Sequence, residues 1–154
     1  MTDAQSAEPA ESQSRKTEVV LTPMGQGELT QRWASVEACV RASLPADDTT
    51  YPVALAALRN GHLIAVSVKY LDAEIAIMVV GPVVNGATQR RGLLIHAMAG
   101  KIPPEAWGPL NDEIVKAAVN MGVSCVIAWS GIPTILTACG ENGWTLHTVA
   151  IKEV

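Results

Sequence analysis

The sequence predicts an α/β protein of the α+β kind, in which helices flank one mixed sheet. Three observations indicate this class. An amphipathic stretch near the N-terminus has helical spacing, a pair of β-rich runs is joined by Asn-Gly, and the C-terminal half alternates helix, strand, helix and strand with short connections. Antiparallel hairpins and a crossover unit in one chain predict a sheet with both kinds of pairing.

The first predicted elements are a strand and a long helix. Val19 and Leu21 alternate with Glu18 and Val20, which predicts a strand over Thr17 to Thr22. A helix over Gln26 to Ser43 follows, because its apolar residues recur at spacings of four, three and four and so share one face. These residues are Leu29, Trp33, Val36 and Val40.

An antiparallel meander is predicted next. Pro52 to Leu58 and His62 to Tyr70 are β-rich runs on either side of Arg59-Asn60-Gly61, and Asn-Gly favours a two-residue hairpin because both residues tolerate positive φ. A second turn at Leu71 to Ala73 leads into a third strand, Glu74 to Val80.

The region from Gly81 to Trp107 is divided by glycines and prolines that interrupt any periodic pattern. Within it, Leu93 to Met98 fits a strand beside Glu74 to Val80 or a short helix ending at Gly100. We favour the strand, because the apolar run between the breakers is short.

The C-terminal half predicts a crossover unit. Pro109 suits the start of a helix that ends at Gly122, and an uncharged run from Val123 to Trp129 predicts a strand covered on both faces. A short helix over Ile132 to Cys139 and a closing strand over Thr145 to Ile151 complete the unit. The apolar face of the first helix comprises Leu110, Ile114, Val115, Ala118 and Val119, and we expect Trp129 and Trp144 to be buried between these elements.

Composition predicts one domain, from residue 17 to 154, preceded by a disordered tail from Met1 to Lys16 that has no apolar face to bury. The chain has 154 residues, 49% of them hydrophobic, which is ample for one core. Its net charge of −4 argues against nucleic acid or a membrane surface as a partner. The apolar run from Ile75 to Val84 is far shorter than the roughly 20 residues of a membrane span.

The cysteines and histidines predict neither a disulfide framework nor a metal site. Cys39, Cys125 and Cys139 are odd in number and never form a Cys-x-x-Cys pair, and the three histidines are scattered. We therefore expect a cytoplasmic protein without bound metal.

The order of these elements resembles the GNAT superfamily of acyltransferases over nearly the whole chain from Thr17. The Asn60-Gly61 turn after an N-terminal helix, the unit from Pro109 to Cys139, and Gly143-Trp144 before the last strand carry the resemblance. It implies a GNAT-like mixed sheet and acetyl-CoA as the cosubstrate of an active member. Small proteins of this kind also resemble virion-associated proteins of short-tailed phages.

The resemblance also implies where CoA would bind. The family holds the pyrophosphate on backbone N–H groups at a helix start, through Gln or Arg, two residues, Gly, one residue, and Gly or Ala. The best match is Gln89-Arg90-Arg91-Gly92, although Leu94 replaces the final small residue and a charged loop between strands is the favoured explanation of the stretch. Ser130 is a further candidate near the CoA arm, or the N-cap of the next helix.

For catalysis, the resemblance implies a general base on the meander and an acid in the short helix. Glu74 is the candidate base and Asp72 the second choice, although a carboxylate at a strand start is commonly a solvated charge. Cys139 occupies the position of the family tyrosine that protonates the departing thiolate, although a thiol in an apolar helix is more often inert packing.

Two functions are compatible with these differences from the family pattern. The first is a degenerate acyltransferase-like domain without a cofactor, with a structural or interaction role, a protein partner, and a place in the host cytoplasm or in a phage virion. The second is an active CoA-dependent N-acetyltransferase that acts on a small amine or a protein amine. We favour the first, because the CoA loop and the tyrosine position depart from the family pattern together.

Overall fold

The computed structural model describes residues 19–43, 50–84, 87–128 and 140–145. These residues form a five-stranded sheet in the order β1-β2-β3-β4-β5. The first four strands pair antiparallel with their neighbours, and β4 and β5 run parallel. The predicted mixed sheet is confirmed.

The elements depart from the predicted order at two places: the helix predicted over Gln26 to Ser43 is divided at Arg32, whose backbone is not helical, and residues 50–59 form a helix. None of the described helices is long and apolar enough to cross a membrane. The bounds are β1 Val19–Pro23, α1 Gln26–Gln31, α2 Trp33–Ser43, α3 Thr50–Arg59, β2 Ile64–Tyr70, β3 Ala73–Val84, β4 Arg91–Gly100, a 3₁₀ turn Pro104–Ala106, α4 Trp107–Asn120 and β5 Cys125–Ala128.

Helices cover both faces of the sheet, because successive side chains of a strand point to opposite faces. On β3, Ile77 and Val79 join a cluster with helices α1, α2 and α3, whereas Met78 and Val80 join a second cluster with α4. The predicted helical face belongs to the helix side of the first cluster and is confirmed: Leu29, Val36 and Val40 are buried and Trp33 is partly buried. The core therefore has two halves, one on each face of the sheet.

Helix α4 buries a narrower face than its sequence predicts. Leu110, Ile114 and Ala118 are 1%, 5% and 5% exposed and pack against the sheet. Val115 and Val119, which were predicted on the same face, are 47% and 68% exposed. The buried residues of α4 therefore recur at every fourth position, and the residues next to them in the sequence face the solvent.

The predicted strand over Pro52 to Leu58 is wrong, because these residues lie in helix α3. Consequently Asn60-Gly61 is not a hairpin turn but the end of that helix. Gly61 has a φ of 75°, its N–H donates to Leu58 O at 3.2 Å, and the His62 N–H donates to Ala57 O at 2.9 Å. This pair of bonds is the Schellman motif, in which a glycine past the last turn satisfies the final carbonyls.

The meander therefore consists of β2, β3 and β4, and the predicted strand over Leu93 to Met98 is confirmed as part of β4. The predicted turn after Tyr70 is also confirmed. Leu71 and Asp72 have φ values of 52° and 64°, so this turn, and not Asn-Gly, has the two successive positive φ angles of a tight hairpin.

The predicted crossover is confirmed as far as β5. Cys125, Ile127 and Ala128 are exposed, so the described part of this strand is not covered on both faces as predicted. Trp144 is half-buried, and its Nε1–H donates to Asn111 Oδ1 at 2.7 Å. The predictions for the tail, Trp129, the short helix and the closing strand lie outside the described residues.

An ion pair ties the junction of α1 and α2 to the sheet. Arg32 lies between the two helices, and its guanidinium donates to both carboxylate oxygens of Glu74, at 2.8 Å for Oε2. The buried hydroxyl of Ser67 on β2 donates to the same carboxylate. The hydrogen bonds from Arg32, and next those from Ser67, hold the pKa of Glu74 below its usual value despite partial burial.

The first prediction compares two apolar residues of α4. Leu110→Ala should lower the free energy of unfolding by about 2–5 kcal/mol, because it removes a fully buried side chain. Val119→Ala should change it by less than about 0.5 kcal/mol, because that side chain is mostly in water. Urea unfolding of both variants measures the difference, and equal losses would contradict the assigned core face.

The second prediction concerns Glu74→Gln. The Arg32 and Glu74 side chains remain 29% and 30% exposed, so we expect a loss of about 0.2–1 kcal/mol at pH 7. A lowered carboxyl pKa contributes stability above the usual value of 4.5, and this contribution disappears as the pH falls through the lower folded value. The urea midpoints of wild type and variant should therefore lie closer together at pH 3 than at pH 7.

Glu141→Gln is the control for this experiment, because Glu141 is exposed and shows no ion pair among the described residues. It should leave the urea midpoint unchanged at both pH values. A Glu74→Gln loss that is as large at pH 3 as at pH 7 would show that the charge of Glu74 contributes nothing.

Candidate functional site

The candidate site is the edge of the sheet at which the parallel strands β4 and β5 end. In open α/β sheets, ligands bind in the crevice at the carboxyl ends of parallel strands. Here β5 accompanies β4 only from Gly92 to Ile95 within the described residues, and β4 then continues to Gly100. The second half of β4 therefore has β3 as its described partner on one side only.

A β-bulge on β4 lies beside the last described pair of this parallel pairing. Val79 on β3 pairs with Ala97, but the next residue, Val80, pairs with Ile95. His96 is therefore the extra residue of the bulge and has no register partner on β3. Bulges bend a strand and disturb its ladder, and they are frequent beside functional sites.

The connection from β4 to α4 begins with a glycine that no other residue can replace without rearrangement. Gly100 has a φ of 154°, and a Cβ at this position would lie 2.1 Å from Ile75 O and 2.6 Å from Ala76 Cα. The Lys101 N–H then donates to Ile75 O at 2.9 Å, which holds the departing chain against β3. These contacts direct the chain toward the start of α4.

The start of α4 is the helix start at which the family pattern for pyrophosphate should lie. Glu105-Ala106-Trp107-Gly108-Pro109-Leu110 has the spacing of that pattern and retains its first glycine. Glu105 stands in place of Gln or Arg, and Leu110, in place of the final small residue, is 1% exposed in the core. This stretch therefore keeps the spacing of the pattern, but at its first and last positions it lacks the residue types that would bind a pyrophosphate.

Few backbone donors remain at this helix start. Pro103, Pro104 and Pro109 have no N–H, and the Ala106 N–H donates to Pro103 O at 2.9 Å. The Trp107 N–H donates to Pro104 O. An anion here would also meet the negative charge of Glu105, although a helix N-terminus normally attracts anions through its free N–H groups.

This stretch was not predicted from the sequence, because the prediction required a glutamine or arginine at the first position of the pattern. The available signal was the group of prolines, since proline is favoured in the first turn of a helix and not in its interior. That signal indicates a helix start after residue 103, and counting from there finds Gly108.

The predicted cofactor residues Gln89, Arg90, Arg91 and Gly92 lie at the turn before β4 and at its first residues, not at a helix start. The length of β4, about 30 Å, separates this turn from the start of α4. Gly92 has a packing explanation, because a Cβ there would lie 2.8 Å from Cys125 Sγ. A role for the two arginines in binding CoA stays a prediction, without the helix terminus on which it was based.

The predicted base Glu74 lies beside the turn that begins β3, where it is held in the bonds to Arg32 and Ser67. A carboxylate with a lowered pKa is a weaker base than a free one, so this network explains Glu74 as a structural residue. Asp72 lies in the positive-φ turn itself. The catalytic role of Glu74 stays a prediction.

His96 is the titratable side chain closest to the bulge, and the sequence analysis did not single it out for chemistry. Its side chain is half-buried, and burial lowers its pKa below the usual 6.5. The imidazole is therefore neutral at neutral pH. The alternation of β4 gave no signal for this residue, because a bulge depends on pairing with β3.

The remaining predicted residues cannot be placed, since Ser130 and Cys139 lie outside the described residues. Of the described thiols, Cys39 is buried and donates to Ile77 O at 3.2 Å, and burial raises its pKa, whereas Cys125 is exposed. In the described ranges, no three residues among His, Cys, Asp and Glu are grouped so that they could hold a metal ion.

The sequence matches no protein-family model and no curated protein. The fold, in contrast, matches solved acetyltransferases. A ribosomal-protein-alanine N-acetyltransferase from Brucella melitensis biovar Abortus 2308 has a TM-score of 0.60 at 10% identity, over 89% of this chain and 98% of that one.

Two further structures agree. A GCN5-related N-acetyltransferase from Ralstonia eutropha JMP134 has a TM-score of 0.58 at 13% identity, over 88% of this chain and 98% of that one. The aminoglycoside acetyltransferase meta-AAC0020 from an uncultured soil metagenomic sample has a TM-score of 0.58 at 8% identity, over 88% and 94%. The resemblance found in the sequence is therefore confirmed at the level of the fold: the chain folds as a GNAT N-acetyltransferase.

Proposed function

We propose that this chain is a non-catalytic domain with an acyltransferase fold, which does not bind acyl-CoA and serves a structural or protein-interaction role. The start of α4 carries this proposal. Its prolines remove donors, Glu105 adds a negative charge, and Leu110 is committed to the core. A pyrophosphate needs the opposite features at a helix start: free N–H groups, little side-chain bulk and no nearby anion.

The outer face of α4 supports an interaction role. Val115 and Val119 are one turn apart and both largely exposed, and Met121 just beyond the helix is 57% exposed. Adjacent exposed apolar side chains are typical of surfaces that contact another protein. A protein partner and a place in a phage virion stay predictions.

A binding experiment tests the first part of the proposal. Titration of the wild-type chain with acetyl-CoA at micromolar concentrations should give no saturable heat. Thermal unfolding should also be unaffected, whereas a ligand present at 100 times its dissociation constant would add about 2.7 kcal/mol of stability. An active acetyltransferase of the same fold, titrated in the same buffer, verifies that the ligand and the instrument respond.

Two variants locate the site if the wild type does bind. Loss of the heat in the Arg90→Ala/Arg91→Ala double variant would place the phosphates at the turn before β4. Loss in Lys101→Ala would place them at the start of α4. If the wild type does not bind, Glu105→Gln should not bind either, because the prolines and Leu110 remain. Saturable wild-type binding would overturn the proposal.

A second candidate function is CoA-dependent N-acetyl transfer to a small amine or a protein amine. It is favoured by the bulge on β4 with its neutral, half-buried imidazole, since a neutral histidine can accept the proton of an attacking amine. Amine-dependent release of CoA thiol from acetyl-CoA would establish it. Under this alternative, Glu74→Gln or His96→Gln should abolish turnover and leave acetyl-CoA binding intact.

A further inference from the structure

Helix α2 is bonded to the sheet by two polar side chains that lie one helical turn apart. The thiol of Cys39 donates to Ile77 O on β3 at 3.2 Å, and Ile77 is in register with Ala99 on β4. Ser43, four residues later, is the last residue of α2 and bonds to Met98 on β4. Because residues four apart share one side of a helix, this side of α2 faces β3 and β4, and its end lies beside β4.

Ser43 makes two hydrogen bonds to the backbone of a single residue. Its hydroxyl donates to Met98 O at 3.0 Å, and the Met98 N–H donates to Ser43 Oγ at 3.1 Å. One hydroxyl can make both bonds, since it has one donor and two acceptor lone pairs. A single side chain therefore bonds both backbone groups of Met98.

These two bonds show on which side of β4 the hydroxyl lies. In an antiparallel ladder, opposite residues either exchange hydrogen bonds or direct their N–H and C=O groups away from each other. Met98 lies opposite Met78 on β3, but directs both groups to Ser43. The hydroxyl therefore lies at the edge of β4 away from β3, along which β5 pairs from Gly92 to Ile95. It takes the place of the backbone of a neighbouring strand.

We propose that Ser43 is an autoinhibitory cap of β4: while its hydroxyl holds Met98, no extended peptide segment pairs with the strand at this position, and departure of the α2 end opens it. Strand addition depends on main-chain hydrogen bonds, so a partner of this class needs the two groups that Ser43 occupies. Covering a strand edge is a known way to prevent unwanted pairing. The inference rests on the proposed interaction role and names an extended peptide segment as the class of partner.

The position of Ser43 makes the cap displaceable. The buried residues of α2, Val36, Cys39 and Val40, all precede it. The last carbonyls of a helix have no partner within the helix, so its final turn is held less firmly than its interior. Ser43 and Met98 are both half-buried, so water can replace their hydrogen bonds. The end of α2 can therefore leave β4 while the buried part of the helix stays in the core.

Amide exchange of the full chain, followed by NMR at pH 7, tests the cap. The Met98 amide should be protected in the wild type. Ser43→Ala should make its exchange several-fold faster, because alanine cannot accept the N–H, whereas Ser43→Thr should keep the protection. Ser43→Val, which matches threonine in shape, should behave as Ser43→Ala does. Ser35→Ala is the matched control, since Ser35 is an exposed serine of the same helix, and it should leave Met98 unchanged.

A peptide titration tests the class of partner. The probe is a peptide of the β5 segment from Val123 to Ala128, with serine in place of Cys125, because β5 already pairs with this edge of β4. It should shift the Met98 amide signal of Ser43→Ala at a lower concentration than that of the wild type. Equal responses of the two chains, or none in either, would overturn the assignment of an extended peptide segment.

The amide data decide the cap itself. An unprotected Met98 amide in the wild type, or equal protection in the Ser43→Thr and Ser43→Val chains, would overturn it. The wild-type measurement and the Thr/Val pair give this answer even where Ser43→Ala fails to fold. Acetyl-CoA enters none of these measurements, so failure of the cap is distinguished from failure of the proposed function, which the acetyl-CoA titration decides.

Discussion

The two-sided burial of β3 is the constraint on which the rest of the structure depends. Its residues from Ala76 to Gly81 are all buried, with alternate side chains in the two core clusters. A strand covered on both faces needs a partner on each edge and a helix layer on each face, because its backbone groups and its apolar side chains must both be satisfied. β2 and β4 meet the first need, and α1–α3 and α4 the second.

This constraint also limits whether the edge of the sheet can bind a phosphate group. The chain leaves β4 at Gly100 and enters the helix layer formed by α4. Leu110, in the first turn of that helix, already lies in the core. Prolines stabilise such an entry because their φ is fixed in the helical range. The same prolines remove the N–H groups that an anion would use, so a firmly anchored helix start and a phosphate site compete for the same residues.

The residues at the bulge and at the α1–α2 junction show two ways of managing a polar group near the core. Glu74 keeps its charge, because Arg32 and Ser67 satisfy the carboxylate. His96 shows no such partner among the described residues, and burial favours its neutral form. The contribution of the paired charge declines as the pH falls below 4.5, and that of the neutral imidazole as the pH falls below 6.5.

Local patterns in the sequence determined the fold class, the helical face from Leu29 to Val40, the turn after Tyr70 and the helix that buries Leu110. The tertiary structure decided the remainder. Tyr51 to Leu58 fits a strand or a helix by propensity, and only packing of Leu55 and Leu58 onto the sheet selects the helix and makes Gly61 its cap. The bulge at His96 and the helix start at Glu105 depend on pairing with β3 and on the path after Gly100, because register and connection geometry arise between strands distant in sequence.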